Sequence, residues 1–319
     1  MLKGSNMEND VYYISELEDK ILDTIYRNMK YVQRPFGCLF SGGFDSGLLA
    51  AITHPDYIFR VKFPYGVQYD ESRYSDAIIK HLGLQNVIDI TITKELFNEN
   101  FIDAVQTMGE PTTHFSLVPL YILMKEVAKH CKIVISGEGP DEYLGGYARY
   151  IIFDELKKMY RIPELRNYHP TINKALGIAR DDFLRVYGNM MGYKPLDIAR
   201  HDHEQYPMLG SFGKMDMDLG CIEKMEQKMA KNYDINLIYP YITNEFAEYC
   251  YRLPDNLKVR DGVTKWAFRQ ICKKYLPEFV MERSKMGGPV APVNEWLGVE
   301  DIFNKATYIK KQKEILGLI

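Results

Sequence analysis

Cysteine is scarce and scattered. Cys38, Cys131, Cys221, Cys250 and Cys272 form no Cys-x-x-Cys pair in 319 residues. This spacing excludes a zinc ribbon and a disulfide framework, and unpaired thiols fit a reducing, cytoplasmic compartment. Long apolar runs are missing too, so no membrane association is expected. The opening Met1-Leu-Lys-Gly-Ser-Asn-Met7 lacks the apolar centre of a secretion signal. Neither sign of charge dominates: 40 basic residues face 43 acidic ones, which removes the basis for general attraction to nucleic acid. No G-x-x-x-x-G-K-[ST] occurs, so the chain is not a P-loop protein. Internal repeats and low-complexity segments are absent as well.

The chain does contain one turn around which the rest can be read. The apolar run Cys38-Leu39-Phe40 leads into Ser41-Gly42-Gly43-Phe44-Asp45-Ser46, and Leu48, Leu49 and Ile52 then recur at helical spacing. A buried strand, a small-residue turn and a helix start present backbone N–H groups and a helix dipole to one spot, which suits an anion. Ser41 and Ser46 add hydroxyls. The Asp45 carboxylate would repel phosphate unless a divalent cation stood between them. A bare Ser-Gly-Gly is commonly a surface turn; set between strand and helix, it resembles the pyrophosphate loop of the ATP pyrophosphatases.

Strand and helix patterns alternate through the first 150 residues. Helices are expected over 16–31, 72–82, 96–108 and 118–130, and strands over 57–63, 86–92 and 132–135. Largely apolar strands separated by helices imply a parallel sheet covered on both faces, with ligands beyond the carboxyl ends of its strands. The last of these strands runs into Ser136-Gly-Glu-Gly-Pro-Asp-Glu142, an irregular turn with Asp141 at a helix start. The two turns are expected to line one pocket. Asp45 and Asp141 would then share a cation, leaving Glu138 for proton transfer or substrate positioning.

After about residue 151 the alternation stops, with helices expected at 154–160, 219–229 and 244–252. The expected division is a 1–150 α/β core with its N-terminal helix and a 151–319 mostly helical region that completes the site. His201-Asp-His203 lacks further metal ligands and reads as a solvated loop. In Lys258-Val-Arg-Asp-Gly-Val-Thr-Lys265, Thr264 is a cap candidate and Lys265 is expected on the first helical turn. There it opposes the helix dipole, which points to function. Arg283-Ser-Lys285 sits beside Gly287-Gly288 as either a solvated loop or a cover for pyrophosphate.

Four segments in order resemble the synthetase domain of the asparagine synthetase family, which includes the β-lactam synthetases. They are Ser41 to Ser46, Tyr69-Asp-Glu-Ser72 with Leu82-Gly83, Ser136 to Glu142 with Gly145-Gly-Tyr147, and Lys265 through Leu276-Pro277 to Lys285. The resemblance implies a five-stranded parallel sheet of the adenine-nucleotide α-hydrolase-like type with a helical C-terminal region. It also implies ATP with Mg²⁺, adenylation of a small-molecule carboxylate, and transfer of the acyl group to ammonia or an amine. By the same resemblance Ser41, Gly42, Gly43, Asp45, Ser46 and Lys285 hold pyrophosphate, and Asp45 and Asp141 bind the metal. Leu39, Val61, Ser136 and Gly137 flank adenine and ribose. Lys265 neutralises charge on the α-phosphate and Glu138 positions or deprotonates the amine.

Departures from the family shape the expectation. Met1 is followed by Leu2, not by the nucleophilic Cys of a glutaminase domain, and no room for such a domain precedes Ser41, so ammonia would come free or from a separate glutaminase. The family's Glu-x-Arg-x-Pro-Phe-Leu-Asp stands as Asn236-Leu-Ile-Tyr-Pro-Tyr-Ile-Thr243, and Thr112-Thr-His-Phe-Ser-Leu117 lacks the family's Arg. Both argue against aspartate as acceptor. Glu138, where the β-lactam branch has Tyr, argues against ring closure. The competing expectations are an ATP pyrophosphatase that modifies a tRNA base or nucleotide, and a nucleotide-binding subunit without catalysis.

Overall fold

A computed structural model describes residues 4–66, 71–160, 187, 190–191, 206–219, 222–281, 293–298 and 305–319. In chain order the described elements begin α1 (Gly4–Met29), β1 (Gly37–Leu39), α2 (Phe44–Thr53), β2 (Tyr57–Lys62), α3 (Ser72–Leu82), β3 (Val87–Thr91), α4 (Lys94–Met108), α5 (Leu117–Val127) and β4 (Ile133–Ile135). They continue with α6 (Pro140–Tyr143), α7 (Ala148–Tyr160), α8 (Met208–Leu219), α9 (Ile222–Asn232), β5 (Asn236–Ile238), α10 (Asn244–Arg252), α11 (Asp255–Lys258) and α12 (Trp266–Cys272). Among the described residues, three more helices or turns of helix follow: α13 (Glu278–Met281), α14 (Val293–Trp296) and, last, α15 (Ala306–Ile315) after Lys305.

Contacts group the chain into two interleaved units. One comprises Met1–Ile25, Glu138–Gly220 and Tyr241–Lys274; the other comprises Tyr26–Gly137, Cys221–Pro240 and Tyr275–Ile319. The second unit holds the sheet, whose five strands are all parallel in the order β3-β2-β1-β4-β5. All three residues of β1 are buried, as a central strand covered on both faces requires. Its core joins Leu39, Phe59 and Val134 of the strands to Phe97, Val105, Val118 and Met124 of α4 and α5, and to Met225 and Met229 of α9. Thr93 caps α4 by accepting from the Leu96 N–H at 3.2 Å.

The fifth strand, Asn236–Ile238, lies where the sequence reading expected no further strand. Only three residues long, with Asn236 exposed and its neighbours half-buried, it carries no periodicity to detect. It is held through pairing with β4, at Ile133↔Asn236 to Ile135↔Ile238.

In the other unit, Leu17, Ile21 and Ile25 of α1 are buried at the spacing that announced the helix. A second core packs Tyr150, Phe153, Tyr187 and Phe212, with the Tyr187 and Phe212 rings stacked at 4.2 Å. Asp216 anchors it by accepting from Arg149 at 2.7 Å and from the hydroxyls of Tyr150 and Tyr187. Thr243 caps α10 through the Phe246 N–H at 3.2 Å. The buried Lys258 ammonium donates to the carbonyls of Tyr251, in the last turn of that helix, and of Leu253, its C-cap, and burial lowers its pKa to about 8. Among the described residues no helix is long and apolar enough to cross a membrane.

Candidate active site

The strand order reverses between β1 and β4, since β2 and β3 follow β1 to one side and β5 follows β4 to the other. A reversal of this kind leaves a crevice at the carboxyl ends of the two strands. The turn after β1 and the first two residues after β4, Ser136 and Gly137, sit there within the sheet unit. Phe40 keeps the extended pairing one residue beyond β1 by donating to the Phe59 carbonyl at 2.8 Å. The Ser41 and Ser46 hydroxyls meet at 3.2 Å, the Ser41 N–H donates to Ser46 Oγ at 3.3 Å, and the Gly43 N–H donates to Ser41 Oγ at 3.2 Å. These bonds close the turn on itself ahead of α2, where Gly43 is the N-cap residue and no side chain caps the helix. Asp45 stands in the first turn of that helix.

Ser136 extends the β4–β5 pairing, its N–H donating to the Ile238 carbonyl at 2.9 Å. The next residue must be glycine, because a Cβ on Gly137 would lie 2.9 Å from the Ser46 nitrogen. The two turns therefore touch at Gly137 and Ser46. Leu39 ends β1 as a buried residue, and Val61 lies half-buried in β2, next to β1.

Two buried charged residues beneath these turns carried no role in the sequence reading. The Arg60 side chain, on β2, donates to Ser75 Oγ at 2.6 Å, to Asp76 at 2.5 Å and to Asp89. Ser75, in the first turn of α3, packs directly against Gly42. Arg60 thus braces the floor of the turn, and its guanidinium pKa is raised because these partners outweigh burial. A cation in the middle of a strand whose other charge is the terminal Lys62, with Asp89 opposite it on β3, is the signal that could have found it. Glu226, on α9, is buried against the hydroxyls of Ser136 and Tyr239, and burial pushes its pKa up to about 7. Its sequence surroundings, Met225 and Met229, read only as core.

The other unit holds a second cluster. Gly139, with a φ of 113°, turns the chain into α6, and Pro140 opens that helix. Lys265 Nζ lies 2.6 Å from Asp141 Oδ1, and the lysine is 4 % exposed. Gly146 makes room for this pair, since a Cβ there would stand 1.8 Å from Asp141 Oδ1 and 2.4 Å from Lys265 Cε. Lys265 is one residue earlier than expected. It is the N-cap residue of α12, in the left-handed region at φ 52° and ψ 40°, a conformation that strains a residue with a long side chain. Thr264 does not serve as the cap. The Asp261-Gly262 turn and the Arg260–Val263 bridge before it fix the approach of the chain.

Glu142, beside Asp141, accepts a hydrogen bond from the Tyr147 hydroxyl through Oε1, while Oε2 is buried without a hydrogen-bond partner. Burial first, then repulsion from Glu138 and Asp141, pushes its pKa up to about 8. The cluster thus concentrates three carboxyl groups and one ammonium. Lys285, Tyr69 and Asp70 of the second matched segment, and the His201-Asp-His203 stretch lie outside the described residues.

Known proteins match this chain across both clusters. A family model described as asparagine synthase matches residues 16–313. The chain is 25% identical to asparagine synthetase [glutamine-hydrolyzing] 1 of Bacillus subtilis, over 89% of this chain and 50% of that protein. A putative asparagine synthetase [glutamine-hydrolyzing] of Mycobacterium bovis is 25% identical over 94% of this chain and 51% of its own length. Asparagine synthetase B of Escherichia coli is 27% identical over 57% and 36%. The chain spans about half the length of the first two relatives. With a family match running from α1 to α15 and both motif turns inside it, the chain belongs to the asparagine synthase family.

Proposed function

We propose that this chain carries out ATP-dependent amide formation by way of an acyl-adenylate. A carboxylate oxygen of a small-molecule acid attacks the α-phosphorus of ATP, the bond to the bridging oxygen breaks, and pyrophosphate leaves. The lone pair of ammonia or an amine then attacks the acyl carbon, the bond to AMP breaks, and the nitrogen gives up a proton. The observation that carries this reading is the Ser41–Ser46 turn, closed by its own hydroxyls at 3.2 Å and touching Gly137 where the strand order reverses. Such a turn ahead of a helix suits a polyphosphate.

The roles are those the resemblance to the asparagine synthetase family implies, and residue chemistry supports several of them. Ser41, Gly42, Gly43, Asp45 and Ser46 are assigned to pyrophosphate, with Lys285 a further candidate, and Leu39, Val61, Ser136 and Gly137 to the nucleoside. Lys265 supplies positive charge where it builds on the α-phosphate, the step that fixed electrostatics serves best. Its strained backbone supports a functional role, since strain of this kind collects at working residues. Glu138 takes the proton from the nitrogen nucleophile.

Asp45 and Asp141 are the carboxylates assigned to Mg²⁺, which would neutralise phosphate charge. Magnesium takes one or two carboxylates and fills its remaining positions from phosphate oxygens and water, so this donor set fits. Asp141 already carries the Lys265 ammonium at 2.6 Å, and would share its oxygens with the cation. Incubation of the intact chain with ATP labelled in the α-phosphate, Mg²⁺, a carboxylic acid and ammonia tests the reading. Labelled AMP supports it, and labelled ADP contradicts it.

A further inference from the structure

Lys258 is a charged residue with no exposed surface. It ends α11 at 0 % exposure, and its ammonium donates to the Tyr251 and Leu253 carbonyls at the end of α10, the first at 3.4 Å. Enclosing an ammonium costs stability that a neutral chain of the same length avoids, so the charge asks for a reason beyond capping one helix. The packing around it offers one. A Cβ on Gly145 would lie 3.1 Å from Lys258 Cβ and 3.4 Å from Val259 Cγ2, whereas a Cβ on the adjacent Gly146 would meet Asp141 and Lys265. One turn is therefore wedged between Lys258 behind it and the Lys265–Asp141 pair in front. The Gly146 N–H closes that turn on the Asp141 carbonyl at 2.7 Å. The Tyr251 carbonyl is confined from another side, since a Cβ on Gly210 of α8 would stand 2.0 Å from it.

We propose that Lys258 is a positioning residue for the Lys265–Asp141 pair, its protonated form holding the Gly145-Gly146 turn where Lys265 can serve the α-phosphate. The inference rests on the electrostatic role proposed for Lys265. Charge-assisted hydrogen bonds are roughly twice as strong as neutral ones, so loss of the proton loosens the tie to α10 without removing any heavy atom. Among the described residues, the titratable groups that face Lys258 are Asp255 from its own helix, Lys157 from α7 and the Cys250 thiol from α10. Asp255 is itself held, accepting from Lys157 at 2.6 Å and from the Leu209 N–H at 2.9 Å. Burial brings the Lys258 pKa down from 10.5 to about 8. The folded chain then gives up this proton before the unfolded chain does, so this contribution to stability improves as pH climbs from about 8 toward 10.5. Activity is expected to fall over the same range, and a plain helix cap would not separate the two in this way.

Exchange of labelled pyrophosphate into ATP tests it, with Mg²⁺ and a panel of carboxylic acids that includes aspartate, followed from pH 7 to 9.5 at saturating ATP. The intact chain is compared with Lys258→Gln and Lys258→Met. Glutamine keeps two N–H donors for the carbonyls, and methionine keeps an unbranched stem. Neither carries charge, and the first serves where the second fails to fold. The expected result at pH 7 is exchange about ten-fold slower than in the unsubstituted chain, within the range for a displaced catalytic group, with KM for ATP unchanged within about two-fold. The gap narrows to about two-fold at pH 9.5, where the unsubstituted chain has lost the Lys258 proton as well. Only the difference between the profiles belongs to Lys258, because Glu142 titrates in the same range. A variant slowed by one constant factor at every pH would make Lys258 a structural part and overturn the inference. So would a variant that matches the unsubstituted chain at pH 7. No exchange with any acid in the unsubstituted chain would instead remove the underlying reading, and this inference with it.

Discussion

The Lys265 ammonium and the Asp141 carboxylate lie 2.6 Å apart in a buried pair, over a glycine that leaves space for nothing larger. Each residue comes from the start of a helix, Asp141 from the first turn of α6 and Lys265 from the N-cap of α12. A cation at a helix N-terminus works against the helix dipole. The carboxylate partner offsets that cost and holds the charge in place.

Substituting Lys265→Ala removes the charge assigned to the α-phosphate. The adenylation rate should fall by about 10²–10³, the range for loss of one preorganised electrostatic group, while ATP affinity stays within a few-fold. Isotope exchange and equilibrium dialysis on the same protein separate the two effects. Unchanged exchange would take Lys265 out of the chemistry.

Gly146→Ala places a methyl group where Asp141 and Lys265 meet. The pair must shift, and displacement of a catalytic group by about 1 Å can cost roughly a hundred-fold in rate. Overpacking also costs about 1–3 kcal/mol of stability. An active, equally stable alanine variant would mean that the pair relaxes without consequence.

Arg60→Met leaves Asp89, Asp76 and Ser75 without their shared donor. Because Asp76 and Asp89 are partly exposed and can be hydrated, the expected loss lies below the usual range for a broken buried pair, at about 2–3 kcal/mol. Ser75 also loses its anchor beneath Gly42, so ATP affinity should drop alongside the thermal midpoint. A fall in the midpoint with unaltered ATP affinity would show that the brace does not reach the turn.

Glu142 gives stability a pH signature. Its pKa rises from an ordinary 4.5 to about 8 on folding, so the folded chain holds a proton there that the unfolded chain has lost. This contribution is neutral below about pH 4.5 and becomes unfavourable as pH climbs toward 8. Glu142→Gln should leave the melting temperature near pH 4.5 little changed and raise it at pH 8.5 by roughly 2–4 °C. An equal shift at both pH values would place its effect in packing, not in ionisation.

Where residues act through local pattern, the sequence was readable. The Gly-rich turn after Phe40, the helix at Ser72–Leu82 and the helix at Asn244–Arg252 follow directly from small-residue turns and apolar spacing. The order of strands was not readable in this way, and β5, at three residues, is defined by its partner and not by its own pattern. Arg60 and Glu226 were missed for the same reason: what makes them notable is burial beside Ser75 and Ser136, residues 15 and 90 positions away. Lys265 stood out because it broke a local rule. Its left-handed backbone, set by the turn before it, did not.

The central claim is an acyl-adenylate. The direct measurement is exchange of labelled pyrophosphate into ATP, with Mg²⁺, across a panel of carboxylic acids that includes aspartate and without any amine. Exchange that requires one acid in the panel is the predicted result, and it identifies the acceptor class. ATP bound by the chain, with no exchange for any acid and AMP formed only when water is the acceptor, would contradict the account.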